Sequence, residues 1–131
     1  RLGYGIARPD IIQALEKVRQ PFNVNAMAQD AGIAALDAQA FVHRVLRTCR
    51  RGAKSISKFC RENALDFVPP TANFILIKVG DGAKVFNELQ KLGVIVRPMG
   101  PYKLPEWIRV TFGTDLENEK FLAALKKVLG K

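Results

Sequence analysis

No run of eighteen apolar residues occurs in this sequence of 131 residues, and no charged, apolar and small-residue succession opens it. A membrane-spanning helix and a secretory leader are therefore not expected. Histidine occurs once, as His43, and cysteine twice, as Cys49 and Cys60. The two cysteines fall in one expected helix, about 16 Å apart along its axis at 1.5 Å per residue, so they cannot bridge within it. Both lie near its apolar side and read as buried free thiols, and a zinc site lacks partners. His43 sits at the edge of that helix and reads as a surface or interdomain residue. Paired carboxylates, a nucleophile beside a base and a metal-ligand cluster are all missing. "GYG" at 3–5 lacks the spacing of a phosphate loop or a dinucleotide fingerprint, and "GDG" at 80–82 reads as a turn and helix start. The opening "RLGYGIARPD" has no initiator Met, and a cut from something longer is expected.

Acidic residues are scarce too. There are 12 Asp and Glu against 21 Lys and Arg, a formal charge of +9, and residues 38–61 contain no acid at all. Such an imbalance can serve a nucleic acid or an anionic membrane. Periodicity favours a plainer reading. Over 39–63, Val42, Val45, Cys49, Ala53, Ile56 and Cys60 form one stripe, while Arg44, Arg47, Arg51, Lys54 and Lys58 lie opposite. The basic run is then the wet side of an amphipathic helix. It has no interleaved aromatics of the kind that stack bases.

What is present is enough apolar chain for one core, 48% hydrophobic residues with 25% charged. Residues 9–19, with Pro9 at the start and Ile11, Ile12, Leu15 and Val18 at helical spacing, predict a helix ended by Gln20-Pro21. An alanine-rich helix over 26–36, capped by Asn25, should follow. Beyond the long helix, "LDFV", "NFILIKV", "VIV" and "WIRVTF" read as four strands. A helix over 83–92 with Gly93 as its C′ residue separates the second from the third. Thr114 and Glu117 make a capping box for a final helix with Leu122, Leu125 and Leu129 inward. The order helix, strand, strand, helix, strand, strand, helix defines an α+β domain over 39–131, and residues 1–38 read as the edge of another domain.

Two arginines bracket a shaped loop in "VRPMGPYKLPEWIRVTFGT". Arg97 follows an apolar run, and strand alternation sends Arg109 to the face opposite Ile108 and Val110. A guanidinium presents a rigid fork to carboxylate or phosphate. On the residues alone, an anion site and two solvated arginines on an open sheet face both stay open.

The segments "RLGYGIARPDIIQALEKVRQPFNVNAMAQ", "ANFILIKV", "GVIVRPMGPYKLPEWIRVTFGT" and "ENEKFLAAL" resemble the C-terminal part of the histidinol-phosphate aminotransferases. That family is a branch of the class I/II aminotransferases, pyridoxal-phosphate enzymes of the aspartate aminotransferase fold (fold type I). The likeness is weakest between 37 and 66. It implies a small C-terminal domain over 39–131 and, over 1–38, a helical remnant of the large cofactor domain. It implies transfer of an amino group between histidinol phosphate and 2-oxoglutarate or glutamate, in a cytoplasmic homodimer with no nucleic-acid or membrane partner. By motif, Arg1 matches the arginine that holds the phosphate of pyridoxal phosphate. Arg97 matches the arginine that meets the substrate phosphate, and Arg109 the one that grips the glutamate carboxylate. The aldimine-forming lysine falls before the position of Arg1, so none is assigned here. Lys103 aligns with nothing catalytic, and the isolated chain is expected to be inactive. A threonine-phosphate decarboxylase and an aromatic aminotransferase are the enzymatic alternatives, and a basic nucleic-acid or membrane module is the alternative of another class.

Overall fold

The computed structural model describes residues 2–130. Arg1, matched above to the cofactor phosphate, lies outside them. The chain forms two compact units, one ending at His43 and one beginning at Arg44.

The first unit holds helix α1 (Pro9–Val18) and helix α2 (Ala26–Asp37). Proline occupies the first helical position of α1, where its missing N–H is no loss. Asn25 caps α2 by accepting from the Ala28 backbone N–H at 2.8 Å. Neither helix has a buried residue. Ile11, Ile12, Leu15 and Val18, read as an inward stripe, are all exposed, because within this unit nothing covers the stripe. Helix α3 (Gln39–Glu62) starts in this unit and runs into the next.

In the second unit, four strands make one antiparallel sheet in the order β1-β2-β4-β3. They are β1 (Phe67–Val68), β2 (Phe74–Lys78), β3 (Arg97–Pro98) and β4 (Trp107–Thr111). Helices α4 (Gly82–Lys91) and α5 (Asp115–Val128) complete the unit. Alternation along β2 and β4 sends Ile75, Ile77, Ile108 and Val110 into the core with Ile56 and Cys60 of α3, Val85 and Leu89 of α4, and Phe121 and Leu125 of α5. The anticipated stripe of α3 is thus buried at Ile56 and Cys60, while Val42 and Val45 near its start remain exposed. Cys60 is free and buried and Cys49 free and half-buried. His43 is exposed.

Local signals set the helix ends. Asp81 caps α4 through the Lys84 N–H. Thr114 and Glu117 form the expected capping box on α5. After α4, Gly93 has φ 71°. Its N–H donates to the Gln90 carbonyl, and the Val94 N–H donates to the Leu89 carbonyl, each at 3.0 Å. This is a Schellman ending, for which glycine supplies the left-handed residue without a Cβ penalty.

That ending corrects one expectation. "VIV" at 94–96 is not a strand, and β3 consists of Arg97 and Pro98. Val94 spends its N–H on the helix it has just left, and the chain reaches β4 only at Arg97. Ile95, which would stand opposite Thr111, is 79% exposed and forms no ladder bond.

Candidate functional site

Within the second unit, helices cover one face of the sheet. Phe74, Leu76 and Lys78 of β2 and Trp107 and Arg109 of β4 lie on the other face and are half-buried, with Thr111 exposed. The register pairs Leu76 with Arg109 and Arg109 with Arg97. Cross-strand partners share a face, so the two arginines bracketing the loop stand side by side.

The loop between them produces this pairing. Gly100–Tyr102 form a short 3₁₀ turn, and Lys103 takes a left-handed conformation with φ 61°. The Met99 N–H then donates to the Trp107 carbonyl at 3.0 Å, which locks the register two residues from the arginine pair. The return chain also packs tightly on α4. A Cβ at Gly82 would lie 2.5 Å from the Trp107 carbonyl oxygen and 2.9 Å from that of Pro105.

Like charges directly opposite destabilise a sheet, and an acid nearby would normally offset them. Neither arginine has an ion pair among the described residues. The Nε of Arg109 is buried and has no hydrogen-bond partner. Its guanidinium carbon lies 5.1 Å from the centre of the Phe74 ring. Beside the pair, where Gly93–Val96 diverge from Arg109–Gly113, opens a concavity of about 600 Å³. Glu117 is the acid on its lining. It is already committed, accepting from the Thr114 N–H at 2.7 Å and the Thr114 hydroxyl at 2.8 Å. Those bonds, the backbone one foremost, hold its carboxyl below the usual carboxylate range.

Sequence reasoning thus picks out Arg97 and Arg109, which the structure brings together, and it misses Phe74. The alternation in "NFILIKV" is the available signal, since it sends Phe74, Leu76 and Lys78 to one face. Only the register between strands reveals that this is the face of Arg109. Among the described residues there is no group of three acidic, histidine or cysteine side chains able to hold a metal. Pyridoxal phosphate is matched above to Arg1, outside the described residues, and the Arg97–Arg109 pair is matched to the anions of the substrates. The acid on the lining, Glu117, is tied to the cap of α5. The lining carries three cations, Arg97, Arg109 and Lys120, against that one acid.

A helix-backed antiparallel sheet with an uncompensated pair of guanidinium groups on its open face is the class of domain these residues define. A model of the family "Aminotransferase class I and II" matches residues 1–125. The chain belongs to that family, and its second unit has the architecture of the small C-terminal domain of the fold type I aminotransferases. Histidinol-phosphate aminotransferase 1 of Dechloromonas aromatica is 45% identical over 129 residues, which cover 98% of this chain and 36% of that protein. The protein of the same name from Cupriavidus pinatubonensis is 44% identical over 133 residues, 98% of this chain and 35% of the other. Among solved structures, histidinol-phosphate aminotransferase from Sinorhizobium meliloti in complex with pyridoxal-5'-phosphate aligns with a TM-score of 0.76 at 26% identity, covering 93% of this chain and 35% of that one. The chain spans about a third of the length of these curated relatives.

Proposed function

We propose that the whole protein transfers an amino group between histidinol phosphate and 2-oxoglutarate or glutamate, with pyridoxal phosphate as its cofactor. In this reading residues 39–131 are its small domain and residues 1–38 a remnant of the large one, and Arg1 holds the cofactor phosphate. The protein acts as a cytoplasmic homodimer. Among the described residues no helix is long and apolar enough to cross a membrane. The names of the curated relatives support the substrate pair, and the pyridoxal-5'-phosphate complex of the Sinorhizobium meliloti protein supports the cofactor.

One observation within the chain carries the reading. Arg97 and Arg109 are cross-strand partners with no acid between them, and a nitrogen of Arg109 is buried without an acceptor. Such a pair costs stability unless an anion completes it. The two substrates bring different anions to one site in turn. Arg97, exposed at the sheet edge, takes the phosphate of histidinol phosphate. Arg109, half-buried on the inner strand, takes the glutamate carboxylate. Each supplies charge-assisted hydrogen bonds worth about 1.5–3 kcal/mol. These residues bind and orient, and proton transfer belongs to groups other than the ones described.

The test is the kcat/KM of each half-reaction in the whole protein bearing Arg97→Ala or Arg109→Ala. Arg97→Ala should lower the histidinol-phosphate half-reaction more than the glutamate one. Arg109→Ala should chiefly lower the glutamate half-reaction. Losses of roughly tenfold to a hundredfold follow from the bond energies. Unchanged half-reactions in both variants would reduce the arginines to scaffold, and the substrate assignment would fail with them.

A further inference from the structure

An arginine that must present its fork in one plane needs something to hold that plane. A carboxylate is the usual partner, but it would neutralise the guanidinium and occupy the N–H groups a ligand needs. Among the described residues no carboxylate does this at Arg109. Leu76 faces it from β2, Arg97 faces it from β3, and Glu117 is bound to Thr114. The group that does meet the guanidinium is the Phe74 ring, at 5.1 Å.

Phe74 is opposite Thr111 in the register, so it stands diagonal to Arg109, within reach of an aromatic side chain. The ring is held there by its own strand. Asn73, the residue before it, accepts at its carbonyl from the Phe112 N–H at 2.9 Å, which closes the ladder just past the pair. A ring face carries negative potential without carrying charge. It attracts the cation and fixes the tilt of its plane, yet leaves the positive charge and the outer N–H groups uncommitted.

We propose that Phe74 is a positioning residue for Arg109, a neutral platform that orients its guanidinium for the carboxylate of the amino-acid substrate. The proposal rests on the reading of Arg109 as the carboxylate-binding residue. It makes Phe74 a determinant of affinity for the carboxylate substrate and leaves the chemical step alone. The guanidinium lies over the ring, and its Nε is buried with no hydrogen-bond partner.

The experiment compares Phe74→Leu, Phe74→Tyr and Arg109→Ala in the whole protein, measuring KM and kcat for glutamate together with the melting temperature. Phe74→Leu keeps an apolar side chain and removes the ring. It should raise the glutamate KM about two- to fivefold, the range a cation–π contact supports, with kcat unchanged. Phe74→Tyr keeps the ring and should retain the wild-type KM. If Arg109→Ala raises KM while Phe74→Leu leaves it unchanged, the platform role is wrong and the carboxylate site stands. If Arg109→Ala leaves KM unchanged, the carboxylate site itself is wrong and the platform falls with it. Side-chain NMR of wild-type protein gives a measurement independent of any variant's folding. Ring current should shift the Arg109 Nε–H proton away from the position of a solvated arginine. A resonance at that position would overturn the proposal.

Discussion

Replacing Arg109 by methionine should stabilise the 131-residue chain while removing its response to anions. An unpartnered donor and two neighbours, Arg97 and Phe74, set the balance at Arg109. A buried donor without a partner costs about 1–3 kcal/mol, and the Nε of Arg109 is such a donor. The low end of that range applies, because the residue as a whole is only half-buried. The cation opposite, Arg97, adds a few tenths of a kcal/mol of repulsion. Against these, losing the contact with Phe74 forfeits about 0.5–1 kcal/mol. Methionine keeps most of the aliphatic stem, so packing changes little. The net gain is about 0.2–1 kcal/mol, which raises the melting temperature of a domain of 60–100 residues by about 1–8 °C.

Urea unfolding with and without glutamate or inorganic phosphate reads both halves of this prediction. Wild type should gain stability with ligand, by about 2.7 kcal/mol at a hundred times Kd, and Arg109→Met should gain much less. Inert salt should narrow the gap between the two proteins without ligand, since it screens the repulsion that methionine removes. A variant that loses a kilocalorie or more and still responds to glutamate would refute the reasoning. Arg109 would then be holding the sheet together, and the missing partner of its Nε would have no bearing on ligands.

Gly82→Ala should cost about 1–3 kcal/mol in urea unfolding, because the new methyl meets the carbonyl oxygens of Trp107 and Pro105, backbone atoms that cannot step aside. Burial pushes the Cys60 thiol up to about 11, so iodoacetamide at pH 8 should modify half-buried Cys49 and spare Cys60, as peptide mass mapping would show. The Glu117 carboxyl is held below the usual carboxylate range by the Thr114 N–H. Its contribution to stability is therefore complete above the ordinary carboxylate range and lost as pH falls through the lowered value, and Glu117→Gln should flatten that part of a stability-versus-pH curve. Mixed with pyridoxal phosphate, the 131-residue chain should show no saturable aldimine absorbance removed by a single lysine substitution, and no turnover of histidinol phosphate.

Helix ends are legible in the sequence because their signals are local. Asn25 before α2, Gly93 after α4 and the Thr114–Glu117 box each act within four residues, and each does in the structure what its chemistry implies. The third strand is misplaced by sequence reasoning because strand pairing is a long-range event. "VIV" has the right residues for a strand, but a strand needs a partner, and the Schellman ending delays the meeting with β4 until Arg97. The apolar stripe of α1 shows the same limit. Spacing reveals which side of a helix is apolar, while its burial depends on what lies against it, and no residue of α1 is buried.

The site divides along the same line. Alternation in "WIRVTF" is enough to set Arg109 apart from Ile108 and Val110, since period two is a property of one strand. That Arg97 stands opposite Arg109, and Phe74 diagonal to it, follows only from the register of three strands, and a slip of one residue would send each side chain to the other face. The register is therefore the quantity on which the site depends, and the fold holds it from both sides. The Met99 bond to the Trp107 carbonyl pins β3 to β4, and the Phe112 bond to the Asn73 carbonyl pins β4 to β2. The buried isoleucines on the helix-covered face oppose a slip more strongly still, because it would turn Ile75, Ile77 and Ile108 toward water. A core of that kind can keep two cations adjacent against their repulsion, and an anion arriving at the open face meets donors already in place.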